Sequence, residues 1–181
     1  GSMKPSLNPK ALATGLFKIA DENEMLDDVK DALSFLNNII IDNGHFRVFL
    51  QSKKIDGKSK TEILNAILDG SGHFLVNEIV SHLNGSNAPD SLNKITLFFN
   101  SMYREKKNIL EVKGVVAKEM SQSQLDSLKT SLDKILGKQT ELSMEVDSTL
   151  IGGIKLRIEN TFLDASIQNQ LQILRAELLQ I

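Results

Sequence analysis

Cysteine and tryptophan are absent from the 181 residues, and there are only one tyrosine and three prolines. Without cysteine the chain forms no disulfide, no thiolate metal site and no cysteine nucleophile; it suits a reducing compartment. The aromatic residues are eight Phe and the single Tyr, too few to build platforms for stacking nucleic-acid bases. No sign of charge dominates, since 21 Lys and Arg face 23 Asp and Glu for a net charge of −2. The two signs alternate, so the clustered positive patch of a nucleic-acid binder is missing. No apolar run approaches the roughly 20 residues of a membrane span. Any link to a membrane is therefore expected to run through a partner and not through direct insertion. The first residues hold no signal-peptide core, and Gly1-Ser2 ahead of Met3 reads as a tag remnant.

What the chain does have is helical periodicity, up to about Arg104. Asn8-Pro9 predicts a capped helix start, followed by Leu12, Leu16, Ile19 and Ala20 on one stripe. A second helix is expected from about Met25 to Asn43, with Gly44 ending it in a left-handed cap. Phe46, Phe49 and Leu50 point to a short third helix. Residues 53–60 read as a polar loop, with Ser59 and Glu62 as a capping box for a fourth helix carrying Ile63, Leu64, Ile67 and Leu68. Residues 73–83 predict a fifth helix. A sixth is expected after Asp90 or Ser91, with Leu92, Ile95, Phe99 and Met102 inward. Each helix has one apolar face, which fits a six-helix bundle.

The composition shifts at Lys106-Lys107-Asn108. Leu110, Val112 and Val116 predict a strand, with Gly114 marking a bulge or a close approach. Ser121 and Gln124 form a capping box for a helix with Leu125, Leu128, Leu132 and Ile135 on one side, ended by Gly137. Leu142, Met144 and Val146 alternate with polar residues, as do Ile154, Leu156 and Ile158. After a turn at residues 159–161 and a further extended piece at Phe162-Leu163, Ser166 is expected to cap a last helix with Ile167, Leu171, Leu174 and Leu178. Strand, helix, strand, strand, helix makes a small α+β unit with one sheet face covered by a helix. The fold class expected is therefore α+β, mainly α, with an N-terminal six-helix bundle at 1–107 and a C-terminal α+β domain at 108–181.

Candidate chemistry is sparse. His45, His73 and His82 lack the i, i+4 spacing of a helical metal site. Gly70-Ser71-Gly72-His73 lacks the Lys-Ser/Thr ending and the preceding strand of a phosphate loop. Gly152-Gly153 enters a strand and not a helix, so it reads as a positive-φ or close-packed step instead of a dinucleotide fingerprint. Asp147, Glu159 and Asp164 could form a hydrolytic carboxylate pair, but turn formation and helix capping explain them better. The last helix carries Ile173, Leu179 and Ile181 off its main stripe, more apolar surface than a small sheet covers. No catalytic, cofactor or metal residues are assigned.

Asp147, the run Leu150-Ile151-Gly152-Gly153-Ile154, Arg157-Ile158 and Asp164-x-Ser166 resemble the C-terminal signature of the delta subunit of F-type ATP synthases, whose mitochondrial counterpart is the oligomycin-sensitivity-conferring protein. Ser121-x-Ser123-Gln124-Leu125, Leu128 and Leu136-Gly137-Lys138 are similar to the family's helix. At the front, Leu12 to Ala20 resembles a Tyr-Ala-x-Ala-x-Phe-x-x-Ala motif, with Leu12 in place of Tyr and Gly15 in place of Ala. Phe49-Leu50-Gln51-Ser52 is followed by Lys53 where the family has Pro, and Ala165 stands where it has Gly.

The resemblance implies a non-catalytic subunit of the peripheral stalk, or stator, without cofactor. Its helical part would cap the catalytic head by binding N-terminal helices of the alpha subunits in a groove between helices one and five. By motif position Leu12, Gly15 and Leu16 would line that groove, joined by Asn77. The C-terminal part would grip the b subunits, and the whole would sit on the cytoplasmic side of a bacterial inner membrane. The alternatives are an unrelated helical protein–protein adaptor and, third, an enzyme using Asp147 and Asp164.

Overall fold

The computed structural model describes residues 8–70, 72–159 and 163–178. Its elements in chain order are α1 (Pro9–Glu22), α2 (Leu26–Asp42), α3 (Gly44–Gln51), α4 (Gly57–Leu68), α5 (Phe74–Ser81), α6 (Ala88–Lys107), β1 (Ile109–Val116), α7 (Gln122–Leu136), β2 (Gln139–Val146), β3 (Ile154–Ile158) and α8 (Ala165–Leu178). The fold is mainly α with a small α+β part. The chain divides into two compact units, Gly1–Tyr103 and Arg104–Ile181.

In the first unit the Asn8 side chain accepts from the backbone N–H of Lys10 at 2.9 Å, and Pro9 occupies the first helical turn. Ala13, Leu16 and Ala20 of α1 meet Val29, Leu33 and Leu36 of α2 and Leu92, Ile95 and Phe99 of α6 in one apolar core. The Phe17 and Phe99 rings pack edge to face at 5.6 Å. Asn37 donates to the Thr96 hydroxyl at 2.6 Å, a polar stitch between α2 and α6.

In this unit, helix starts or ends differ from the sequence expectation in three places. Gly44 opens α3 instead of closing α2. Asn43 has an extended backbone and its side chain accepts from Phe46 N–H, while the Arg47 guanidinium takes the carbonyls of Ile40 and Ile41. With those carbonyls satisfied, α2 needs no left-handed glycine. Helix α4 begins at Gly57, ahead of the expected Ser59 cap, because the Asp56 carboxylate accepts from Ser59 N–H at 2.7 Å. Helix α6 starts at Ala88, so Asp90 lies in its first turn and pairs with Lys94 at 3.0 Å.

The early start of α4 turns Lys60 inward. Lys60 is 1% exposed, and its ammonium donates to the Leu50 carbonyl at 3.0 Å and the Leu83 carbonyl at 2.8 Å. Leu50 lies in the last turn of α3 and Leu83 just past α5, where carbonyls lack helical partners and the helix dipole favours a cation. Burial pushes the Lys60 pKa below the ordinary lysine value. The buried stripe of α4 is therefore Lys60, Leu64 and Leu68, and Ile67 is left 58% exposed.

In the second unit the three strands form one sheet in the order β2-β1-β3, with β1 parallel to β2 and antiparallel to β3. Val112 and Val116 of β1, Leu128 and Leu132 of α7, Ile154 of β3 and Leu171 and Leu174 of α8 form its core. The expectation of one covering helix is thus corrected: α7 and α8 both contribute. The Ser121–Gln124 capping box is present, and Gly137 ends α7 with φ 67°. Gly114 is a close approach, since a Cβ there would stand 2.6 Å from Met144 Sδ.

Helix side chains reach both edges of the sheet. Asp133 of α7 accepts from the Thr140 N–H of β2 at 2.8 Å and from its hydroxyl. Burial works against the Asp133 charge, but hydrogen bonds from Lys129 and Thr140 outweigh it and hold the carboxyl below its ordinary pKa. Arg175 of α8 donates to the Leu156 carbonyl of β3 at 3.1 Å.

Candidate partner-binding surfaces

On α1 the backbone exposes one strip and buries another. Leu16 is 2% exposed and belongs to the core, while Leu12 is half-buried against it. Gly15 is exposed, and a Cβ there would meet nothing within 4 Å. One turn on, Ile19 is 45% exposed, so Gly15 and Ile19 form an open strip. Helix α5 packs beside α1, and its Asn77 is buried, donating to Asn65 at 2.8 Å. Phe74, at the start of α5, is 61% exposed. Ile19 and Phe74 were not singled out from the sequence as surface residues. Periodicity marks both as apolar and does not say which apolar side chain lies outside the buried stripe.

In the second unit the signature residues gather around the turn between β2 and β3. Asp147 N–H donates to the Val116 carbonyl at 2.8 Å. Its carboxylate accepts from the Thr149 hydroxyl at 2.6 Å and N–H at 3.0 Å, and these bonds hold its pKa below the ordinary carboxylate value. Gly152 and Gly153 take φ of 77° and 80°, a region that favours glycine. Leu150, Gly152 and Gly153, together with Met120, Ile154 and Leu178, line a pocket of about 800 Å³. Ile151 is wholly exposed beside it. Arg157 projects from β3, 3.6 Å from Glu159.

The cap of α8 is Asp164, whose carboxylate accepts from Ile167 N–H at 2.9 Å, and not Ser166, which lies inside the helix. The charged carboxylate is the stronger acceptor at a helix N-terminus, and it sets the start two residues earlier. The expected extended residue Phe162 and the off-stripe Leu179 and Ile181 lie outside the described residues. Ile173 is 53% exposed.

The remaining chemical candidates hold structural positions. His73 Nδ1 accepts from Leu75 N–H as the cap of α5, and His82 stands 3.7 Å from Glu78 at the surface. Asp147 and Asp164 each serve a local turn or cap. Among the described residues no three His, Cys, Asp or Glu side chains are grouped to hold a metal ion. No described helix is long and apolar enough to cross a membrane.

The class of protein is thus one built from a helical unit and a small mixed-sheet unit, with apolar side chains left at the surface of both. The chain belongs to the ATP synthase delta (OSCP) subunit family, whose model matches residues 10–178. It is an ATP synthase subunit of that family. It is 30% identical over 175 residues to the ATP synthase subunit delta of Mycoplasma mobile, covering 97% of each chain. It is 29% identical over 176 residues to that of Chlorobium luteolum, again with 97% of each covered. Its fold is similar to a chain in the cryo-EM structure of the Toxoplasma gondii mitochondrial ATP synthase hexamer, with a TM-score of 0.61, 24% identity and coverage of 94% of this chain and 97% of that one.

Proposed function

We propose that this chain is the non-catalytic connector of the peripheral stalk in a proton-translocating F-type ATP synthase. The helical unit binds amphipathic N-terminal helices of the alpha subunits, and the mixed-sheet unit binds the b subunits of the membrane sector. The observation that carries this reading is the family match through both compact units, each with its own core. A connector needs two separate binding bodies, and helix-in-groove docking suits the open strip on α1. Gly15 lets a partner helix approach closely, with Leu12 and the exposed Ile19 flanking it. Leu16 lies in the core beneath that surface, and Asn77 is buried on the neighbouring α5. In the second unit, the turn holding Leu150, Gly152 and Gly153 offers a b-type helix end a pocket of mixed lining, apolar at Met120, Leu150 and Ile154 and polar at Lys118, Glu119 and Gln124. Such a chain works at the cytoplasmic side of the bacterial inner membrane and reaches the bilayer only through its partners.

Isolation of the complex from native membranes, with mass spectrometry of the intact assembly, tests this reading. The chain is expected in one assembly with alpha and b subunits. Recovery without either would refute it.

A further inference from the structure

Strand β2 lies at one end of the sheet order, and among the described residues no strand lies beyond it. Which of its backbone groups face outward follows from two hydrogen bonds. Asp147 N–H donates toward β1, to Val116. Thr140 N–H donates away from β1, to Asp133. In a parallel ladder alternate residues turn to the same neighbour. Leu142, Met144 and Val146 share the parity of Thr140, so their N–H and C=O groups line the outer edge. Past Thr140, no side chain among the described residues is bonded to that edge.

The two faces of this edge differ. On the helix side Leu142 and Met144 are half-buried and Val146 is 52% exposed, so apolar cover thins toward the strand's end. On the open side Glu141, Ser143 and Glu145 are exposed; the Arg104 guanidinium, shared with Glu111, stands 4.0 Å from Glu141 and leaves that carboxylate half-exposed, and no ion pair engages Glu145 among the described residues. We propose that the outer edge of β2 is a docking edge for an extended partner segment alternating apolar and basic residues. Such a segment pairs its backbone with Leu142, Met144 and Val146, as strand addition does. Its apolar side chains extend the cover over Val146. Its cationic side chains face Glu141 and Glu145 across the spacing of neighbouring strands, where opposite charges stabilise. A second copy of this chain is a poor occupant, because edge-to-edge pairing sets Glu141 and Glu145 against the same residues of its mate, and like charges across strands repel. This surface is distinct from the groove and the pocket described above.

The test uses the full chain and an end-blocked peptide of alternating Val and Lys, eight residues to match β2. A peptide of alternating Val and Glu is the control. Amide NMR and hydrogen exchange are expected to show saturable binding of the Lys peptide alone, with slowed exchange at Leu142, Met144 and Val146. In the double variant Glu141→Lys, Glu145→Lys, affinity for the Lys peptide falls by about tenfold or more and the Glu peptide binds instead. The control peptide on the unaltered chain keeps the test decisive if that variant folds poorly. No saturable binding, equal binding of both peptides, or changes confined to the helices overturns the proposal. So does protection of the same amides that grows with concentration of the chain alone, which would make a second copy the occupant.

Discussion

The Lys60 ammonium and the Leu83 carbonyl lie 2.8 Å apart in a site that is 1% open to solvent. With the Leu50 carbonyl as second acceptor, one side chain closes the ends of α3 and α5. The loop bond from Gly85 N–H to the Gln51 carbonyl, at 2.8 Å, joins the same two segments.

Lys60→Met keeps the stem and deletes both hydrogen bonds. Leaving two carbonyls unsatisfied in a buried site is expected to cost about 2 kcal/mol or more, partly offset because a buried charge is removed. Thermal melts of the full chain read this as a drop of several degrees. A melt unchanged from the parent would show that the clamp contributes nothing.

Asp133 sets an acid limb. Its folded pKa is below the ordinary value because the bonds from Lys129 and Thr140 outweigh burial, so the unfolded chain takes up a proton first as pH falls. Its contribution is fully present above the unfolded carboxylate pKa of about 4 and is lost as pH falls through the lowered folded value. Asp133→Asn should lose stability at neutral pH and flatten the acid limb. The Thr140 amide shift, followed by NMR, should titrate below the ordinary carboxylate pKa in the parent only. The same titration in Asp133→Asn would assign it to another group.

Gly114 tests the packing of the sheet. In Gly114→Ala the new methyl meets the end of a flexible Met144 side chain, which can swing away, so the cost is expected near 1 kcal/mol. Gly114→Leu has no such escape and should cost several times more. In Gly114→Ala combined with Met144→Ala the penalties should fall short of their sum, since the crowding atom is gone. Strict additivity in denaturant melts would count against the close approach.

The two halves of the fold were legible in the sequence to different depths. Where one local signal decides an outcome, sequence and structure agree: Asn8-Pro9 starts α1, Ser121 and Gln124 form their capping box, and Gly137 ends α7. Lys60 was illegible as a buried residue. Its partners lie 10 and 23 residues away, and a lysine among polar neighbours looks like a loop. Asp164 and Ser166 are both good caps two residues apart, and only the backbone shows which carboxylate or hydroxyl faces the free N–H groups. In the candidate groove, Leu12, Gly15 and Leu16 come from motif position and Asn77 from a rough alignment alone, and neither reveals burial. The structure separates exposed Gly15 from buried Leu16 and Asn77.

Gly15→Leu follows from that separation. Open space above Gly15 accepts the side chain, and leucine is the better helix former by somewhat less than about 1 kcal/mol, so the melt should hold or rise. Affinity for an N-terminal peptide of the alpha subunit, read by calorimetry, should fall by about tenfold or more as close helix approach is blocked. Unchanged affinity would place the peptide elsewhere.

The central claim is that one chain joins two partners at once. The direct measurement is light scattering of the full chain mixed with two ligands. One is an N-terminal peptide of the alpha subunit fused to a soluble carrier, and the other is a fragment from the C-terminal end of the b subunit. The account predicts a ternary mass, formed without nucleotide or metal. Masses showing only one partner bound at a time, or neither, would contradict it.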